Sequence, residues 1–343
     1  MFLRNSWYVA AWDHEIGRHQ LMRRILLGDP VVLYRSEHGD PVALEDRCCH
    51  RQMQLSKGQL IGEEIECPYH GFRYDVKGQC TLIPGQDNIP HDARVHAYPT
   101  VERHRLIWIW MGDPAKADPG LIEDFHWLDD PEWQWRGERL ELKANYFFLV
   151  ENLLDLSHLS YVHRTTLGTD QVAQTPMSWE EHGEGVRVIR WVMDSPAPPF
   201  FQKAGDFAPT QNVDRWQIID WTPPSVVRLD VGCAISGTGA REGNRSQGIS
   251  LRNLNAITPE TEGSTHYFWA TARNFKLDKR HVTDLVFNNV HTAFMEDLDV
   301  LRAQQENFDL NPKAHRVNMR HDGGGIAARR KIEQLIAAET AKN

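Results

Sequence analysis

Apolar residues in the first 120 positions come in short runs cut by turn residues. RRILLG (23–28) and VVLYRS (31–36) flank Asp29-Pro30. EHGD (37–40) then leads into PVALEDR (41–47). FRYDVKGQCTLIP (72–84) and HRLIWIWMG (104–112) repeat the style, and the spacing of Trp108 and Trp110 predicts a strand with one buried face. Asp113-Pro114 and Asp118-Pro119-Gly120 punctuate the chain and set a domain boundary near residue 120. Beyond it the period changes. Residues 138–163 run from a strand into a helix, and 278–308 form an amphipathic helix with Val286, Val290, Ala293, Phe294 and Leu301 as its stripe. Residues 195–210 carry Pro and Gly signals of a mobile lid or a plain connection. A last helix starts at Asp322. The pattern predicts an α+β protein: a small antiparallel β domain over 1–120 and a second domain over 121–343.

Chemistry enters at two places. The first is Cys48-x-His50, followed after residues 51–66 by Cys67-x-x-His70. Two Cys for one iron and two His for the other are what a Rieske-type [2Fe-2S] cluster requires. The alternative, structural zinc, usually groups its Cys together and its His together; here the ligands alternate. The pairing predicts two loop tips that shield the cluster yet leave the His edges reachable. Cys49 is expected to be a buried bystander, able to oxidise if the cluster is lost. Cys80 and Cys233 are small fillers.

The second place is Asn152-x2-Asp155-x2-His158-x4-His163. Two His and a carboxylate with open positions form the facial triad of mononuclear non-haem Fe(II) sites. At 3.6 residues per turn, positions five apart point about 140° from each other. The helix must therefore end or bend between His158 and His163. Asp155, one turn before His158, is a candidate ligand or an acceptor for a ligand N–H. A remote ligand is expected from Glu296, Asp297 and Asp299. At about 100° per residue only Asp297 falls on the apolar stripe, where a carboxylate is costly unless paired or bound to metal. Glu296 and Asp299 read as a solvated acidic turn.

Composition narrows the class. A formal net charge of −9 over 343 residues argues against nucleic-acid binding. No stretch is apolar enough to span a membrane, and the N-terminus lacks a secretory pattern. Five Cys is an odd number, two of them sit in the cluster motif, and the usage fits a reducing cytoplasm. No phosphate-binding Gly loop or dinucleotide fingerprint appears, so the chain itself is not expected to bind NAD(P)H.

These motifs resemble the vanillate O-demethylase oxygenase group of Rieske non-haem iron oxygenase α-subunits. The resemblance runs through NSWYVAAW (5–12), the cluster loops, IPGQ (83–86), RLIWIWMGDP (105–114), NLLDLSHLSYVH (152–163), ITPETEGSTHYFW (257–269) and EDLDVLRAQQ (296–305). Met53 and Tyr69 stand where the respiratory Rieske loop carries its additional disulfide. Cys49 stands where the family usually has Pro. The resemblance implies a Rieske domain followed by a helix-grip catalytic domain, with His158, His163 and Asp297 on the mononuclear iron. It implies that Asp155 bridges electrons between subunits of a head-to-tail homotrimer and that Asn152 is a polar residue near the iron. It also implies an NAD(P)H-dependent reductase, with or without a ferredoxin, an aromatic substrate and O2. The reaction expected is hydroxylation of a methyl or methoxy carbon. Ring dihydroxylation and simple electron carriage are the alternatives. Asn255 and Asn288 are candidate substrate contacts.

Overall fold

The computed structural model describes residues 1–164, 168 and 170–341. They form two compact units, one of residues 1–124 with 258–262, the other of 125–257 with 263 onward.

Turn chemistry cuts the first unit into short strands: β1 (Trp7–Trp12), β2 (Met22–Leu26), β3 (Asp29–Arg35), β4 (Pro41–Glu45), β5 (Gln59–Ile61), β6 (Glu64–Glu66), β7 (Arg73–Tyr74), β8 (Cys80–Leu82), β9 (Ala97–Tyr98), β10 (Thr100–Arg103) and β11 (Leu106–Trp110). They assemble as β1-β11-β10, β2-β3-β4-β9 and β5-β6-β7-β8. Two expectations change in detail. The β2–β3 turn is made by Leu27 and Gly28, both with positive φ, and Pro30 lies inside β3. β11 is buried on both faces rather than one, because β1 and β10 flank it and every residue from Leu106 to Trp110 is covered. Cys48 and Cys67 root their loops in a core with Val32, Leu44, Leu55, Ile65 and Tyr74.

The second unit is built on one seven-stranded sheet in the order β12-β18-β17-β16-β15-β14-β13. Its strands are β12 (Gln134–Leu142), β13 (Ser178–His182), β14 (Gly185–Pro196), β15 (Asn212–Thr222), β16 (Val226–Ile235), β17 (Gly248–Thr261) and β18 (Ser264–Arg273). The helices are α1 (Tyr146–Leu154), α2 (Leu159–Val162), α3 (Asp170–Gln174), α4 (Pro199–Gly205), α5 (Arg280–Leu310) and α6 (Gly323–Thr340). The 31-residue α5 lies against β12 and β18, the helix-grip arrangement. The whole expected stripe of α5 is buried, and its aromatic anchor is Trp269 of β18. That ring stacks on Phe287 and meets Phe294 edge-on, both at 5.0 Å. Residues 195–210 are not a simple loop. Pro199 starts α4, whose Phe200 and Phe201 are buried.

Candidate metal centres and their cavity

The two cluster loops share one backbone design. Cys48 N–H donates to the Met53 carbonyl and Gln52 N–H to the Cys48 carbonyl. Cys67 N–H donates to the Phe72 carbonyl and Gly71 N–H to the Cys67 carbonyl. Gln52 and Gly71, each four residues after its Cys, have φ of 58° and 71°. This matched turn buries each Cys and leaves His50 and His70 exposed. The two His rings stand 4.5 Å apart, and Phe72 stacks on His50. Thiols inward and imidazoles outward, on facing loops, suit a cluster with Cys on one iron and His on the other. Behind them, Tyr74 places its hydroxyl 3.0 Å from Cys48 Sγ and 3.2 Å from Cys49 Sγ. Burial and these thiol contacts raise the Tyr74 pKa, so it stays a donor. Cys49 is exposed, not buried as expected, because it follows Cys48 on the outward turn of the loop.

The second set assembles where the chain breaks. α1 ends at Leu154, a single turn of 3-10 helix follows over Leu156–His158, and α2 ends before His163. His158 and His163 therefore bracket one short helix. Their Nε2 atoms lie 3.2 Å apart. Asp297 Oδ1 from α5 is 3.4 Å from one and 3.3 Å from the other. Three cis ligands at about 2.1 Å from one ion span edges near 3.0 Å, so the triangle fits a facial triad. The tautomers agree. His158 Nδ1 faces the Asp155 backbone carbonyl at 2.5 Å, and His163 Nδ1 faces Glu296 Oε2 at 2.7 Å. Both acceptors hold the proton on Nδ1, so two imidazole lone pairs and a carboxylate oxygen point at one spot. A cation there relieves their repulsion. Burial is the main influence lowering the His158 pKa. At His163 burial also lowers it, but the bonds to Asp297 and Glu296 prevail and the pKa is raised.

The family matches now have a geometry to refer to. The Rieske [2Fe-2S] domain family matches residues 6–99, and the vanillate O-demethylase oxygenase C-terminal domain matches 142–338. The chain belongs to the vanillate O-demethylase oxygenase family. A toluene-4-sulfonate monooxygenase system iron-sulfur subunit from Comamonas testosteroni is 42% identical, covering 99% of this chain and 98% of that one. The vanillate O-demethylase oxygenase subunit of a Pseudomonas strain is 35% identical over 99% and 96%. The crystal structure of dicamba monooxygenase bound to 3,6-dichlorosalicylic acid superimposes with a TM-score of 0.92, at 34% identity and 99% coverage of both chains.

Around this family framework the supporting residues fall into place, with corrections. Asn152 Nδ2 donates to Asp297 Oδ1 at 3.0 Å. Asp155 supports His158 through its backbone carbonyl, while its carboxylate accepts from Ser157 N–H. Asp299 is exposed, as an acidic turn residue would be; Glu296 is not merely solvated but holds His163. Sequence spacing missed that role because Glu296 and His163 are 133 positions apart. Glu296→Ala should lower divalent-ion affinity roughly 10–100-fold, as losing an outer carboxylate partner does. Chelator competition measures it, with cluster absorbance unchanged.

The triad opens onto a largely apolar cavity. Leu153, Leu159, Val290, Ala293 and Phe294 line its helical side with the triad; Arg215, Gln217, Ile219, Leu229 and Asn253 line its strand side. Asn255 and Asn288 are not among the lining residues. Asn255 is fully buried, donates to the Val227 carbonyl and accepts from the Tyr267 hydroxyl. Asn288 is exposed in the middle of α5. Among the described residues no helix is long and apolar enough to cross a membrane.

Proposed function

We propose that this chain is the oxygenase component of a Rieske-type monooxygenase system that hydroxylates a methyl or methoxy carbon of an aromatic compound. The observation that carries the reading is the His158–His163–Asp297 convergence at an apolar cavity, in a chain that also has a Rieske domain. Cys48, His50, Cys67 and His70 would hold the cluster, and the triad would hold Fe(II). The open positions of such an iron supply the dioxygen chemistry.

The protein's part is positioning and exclusion. Asn152 fixes one oxygen of Asp297. Asp155 and Glu296 lock both imidazoles in one tautomer. Arg190 donates to the carbonyls of Leu156 and Val172 and to Gln217, tying the segment that carries His158 to the sheet. The aliphatic and aromatic walls keep bulk water away. Two electrons, two protons and one O2 give a hydroxylated carbon and water. From an aryl methyl ether the hemiacetal falls apart to a phenol and formaldehyde; from an aryl methyl group the alcohol remains. The electrons come from an NAD(P)H-dependent reductase, directly or through a ferredoxin. The working assembly is a head-to-tail homotrimer in which Asp155 links a cluster His of a neighbouring copy to the iron-ligand His.

The test uses anaerobically purified, iron-loaded protein with NADH and a reductase from a related system. Methoxylated and methylated aromatics are offered, and formaldehyde or alcohol is assayed against oxygen consumed. Substrate-dependent product matching oxygen uptake supports the reading. A diol product replaces methyl hydroxylation by ring dihydroxylation, and an iron content that covers only the cluster replaces the oxygenase by an electron carrier. Tyr74→Phe checks the first centre separately. Hydrogen bonds to cluster sulfurs raise the potential, so the variant's midpoint, read by redox titration, should be more negative.

A further inference from the structure

We propose that Cys49 is a positioning residue for the cluster: its backbone N–H and its thiol hold the Tyr74 hydroxyl proton on Cys48 Sγ and so raise the midpoint potential. The inference deepens the reading above and rests on the assignment of Cys48, His50, Cys67 and His70 to a [2Fe-2S] cluster. It gives a task to a cysteine that is not a ligand.

Three contacts meet at one oxygen. The Tyr74 hydroxyl lies 3.0 Å from Cys48 Sγ, 3.2 Å from Cys49 Sγ and 3.2 Å from the Cys49 backbone nitrogen. The ring behind it is fixed. Tyr74 is fully buried in the core with Val32, Leu55 and Ile65, and β7 pairs it with Ile65 on one side and Cys80 on the other. What stays adjustable is the O–H direction, since a hydroxyl proton rotates to suit its neighbours.

The donor count sets that direction. A phenol has one proton to give and two lone pairs to fill. The Cys49 N–H can only donate, so it takes one lone pair. Bound to iron, Cys48 is a thiolate, and a charged sulfur outcompetes the neutral Cys49 thiol for the proton. The Cys49 S–H is then left to donate weakly to the second lone pair. The oxygen thus receives twice from Cys49 and gives once to Cys48. Hydrogen bonds in such a chain polarise one another, so each one received strengthens the one given. Hydrogen bonds to cluster sulfur favour the more negative, reduced form and raise its potential.

The second loop shows the same turn without this device. The residue after Cys67 is Pro68, which has no N–H to give. The turn therefore accommodates proline, and Cys49→Pro removes both donors without requiring a new backbone.

The experiment is a redox titration of the cluster-loaded full chain, followed by visible absorbance. It compares the wild type with Cys49→Pro, Cys49→Ala and Cys49→Ser, and Tyr74→Phe with Tyr74→Phe plus Cys49→Pro. Cys49→Pro should shift the midpoint negative, lowering the reduction equilibrium about threefold, roughly 28 mV for one electron at ~59 mV per tenfold. Cys49→Ala keeps the N–H and should shift it the same way by less. Cys49→Ser keeps both donors and should stay with the wild type. With Tyr74→Phe in place, Cys49→Pro should add nothing, because the group it acts through is gone. A merely structural change of the loop would not lose additivity in this way. An unchanged or more positive midpoint in Cys49→Pro overturns the proposal, as does an equal shift with and without the Tyr74 hydroxyl. Should Cys49→Pro assemble no cluster, Cys49→Ala decides by the same signs. A wild type without a [2Fe-2S] spectrum removes the cluster assignment itself, whereas a normal spectrum with a midpoint indifferent to residue 49 removes only this inference.

Discussion

Asp297→Ala should lose one iron per chain and keep its cluster spectrum. Product formation should fall by more than roughly 100-fold, beyond the loss typical of an outer-sphere change. Asp297 is 2% exposed and contributes the negative charge of the triad. Without it, two imidazoles on either side of a four-residue helix face an apolar wall. The α5 stripe around position 297 stays apolar, so the substitution should spare the fold. Metal analysis beside visible absorbance checks both halves. Full iron content together with normal turnover would place the mononuclear site elsewhere.

Asp155→Asn should have the opposite signature. Iron and cluster are both retained, reduction of the cluster is normal, and turnover drops roughly 10–100-fold. Retention follows from the geometry. His158 is held by the Asp155 backbone carbonyl, which the substitution leaves in place. The side-chain oxygen that caps Ser157 N–H is kept as well, since Asn caps as Asp does. What disappears is the carboxylate charge. Stopped-flow reduction of the cluster, followed by single-turnover product analysis, separates the two steps. Unchanged turnover would remove Asp155 from the electron path.

The parts of these sites legible in the sequence are those set by local periodicity. Alternating Cys and His picked out four residues that the structure carries on two matched, facing loops. Five-residue spacing demanded a break between His158 and His163, and the chain supplies it with a 3-10 turn and a single short helix. Helical phase singled out Asp297 among three neighbouring acids. The illegible parts depend on which distant surface a residue meets. Glu296 looked solvated because its partner lies in another segment. Pro198 and Pro199 read as loop, although proline is well placed in the first turn of a helix and α4 starts there. Cys49 follows its loop, whose outward turn depends on a positive φ at Gln52 that no residue type announces.

The two ligand sets differ in how far they are spread along the chain. Cys48 to His70 fall within one short stretch and share one turn design. The triad joins a hinge near residue 160 to a helix more than a hundred positions later. During synthesis the proposed cluster ligands leave the ribosome long before the proposed iron triad can be complete. A chain stopped anywhere before α5 carries His158 and His163 without Asp297 or Glu296. Such a fragment would hold all four proposed cluster residues and an incomplete triad.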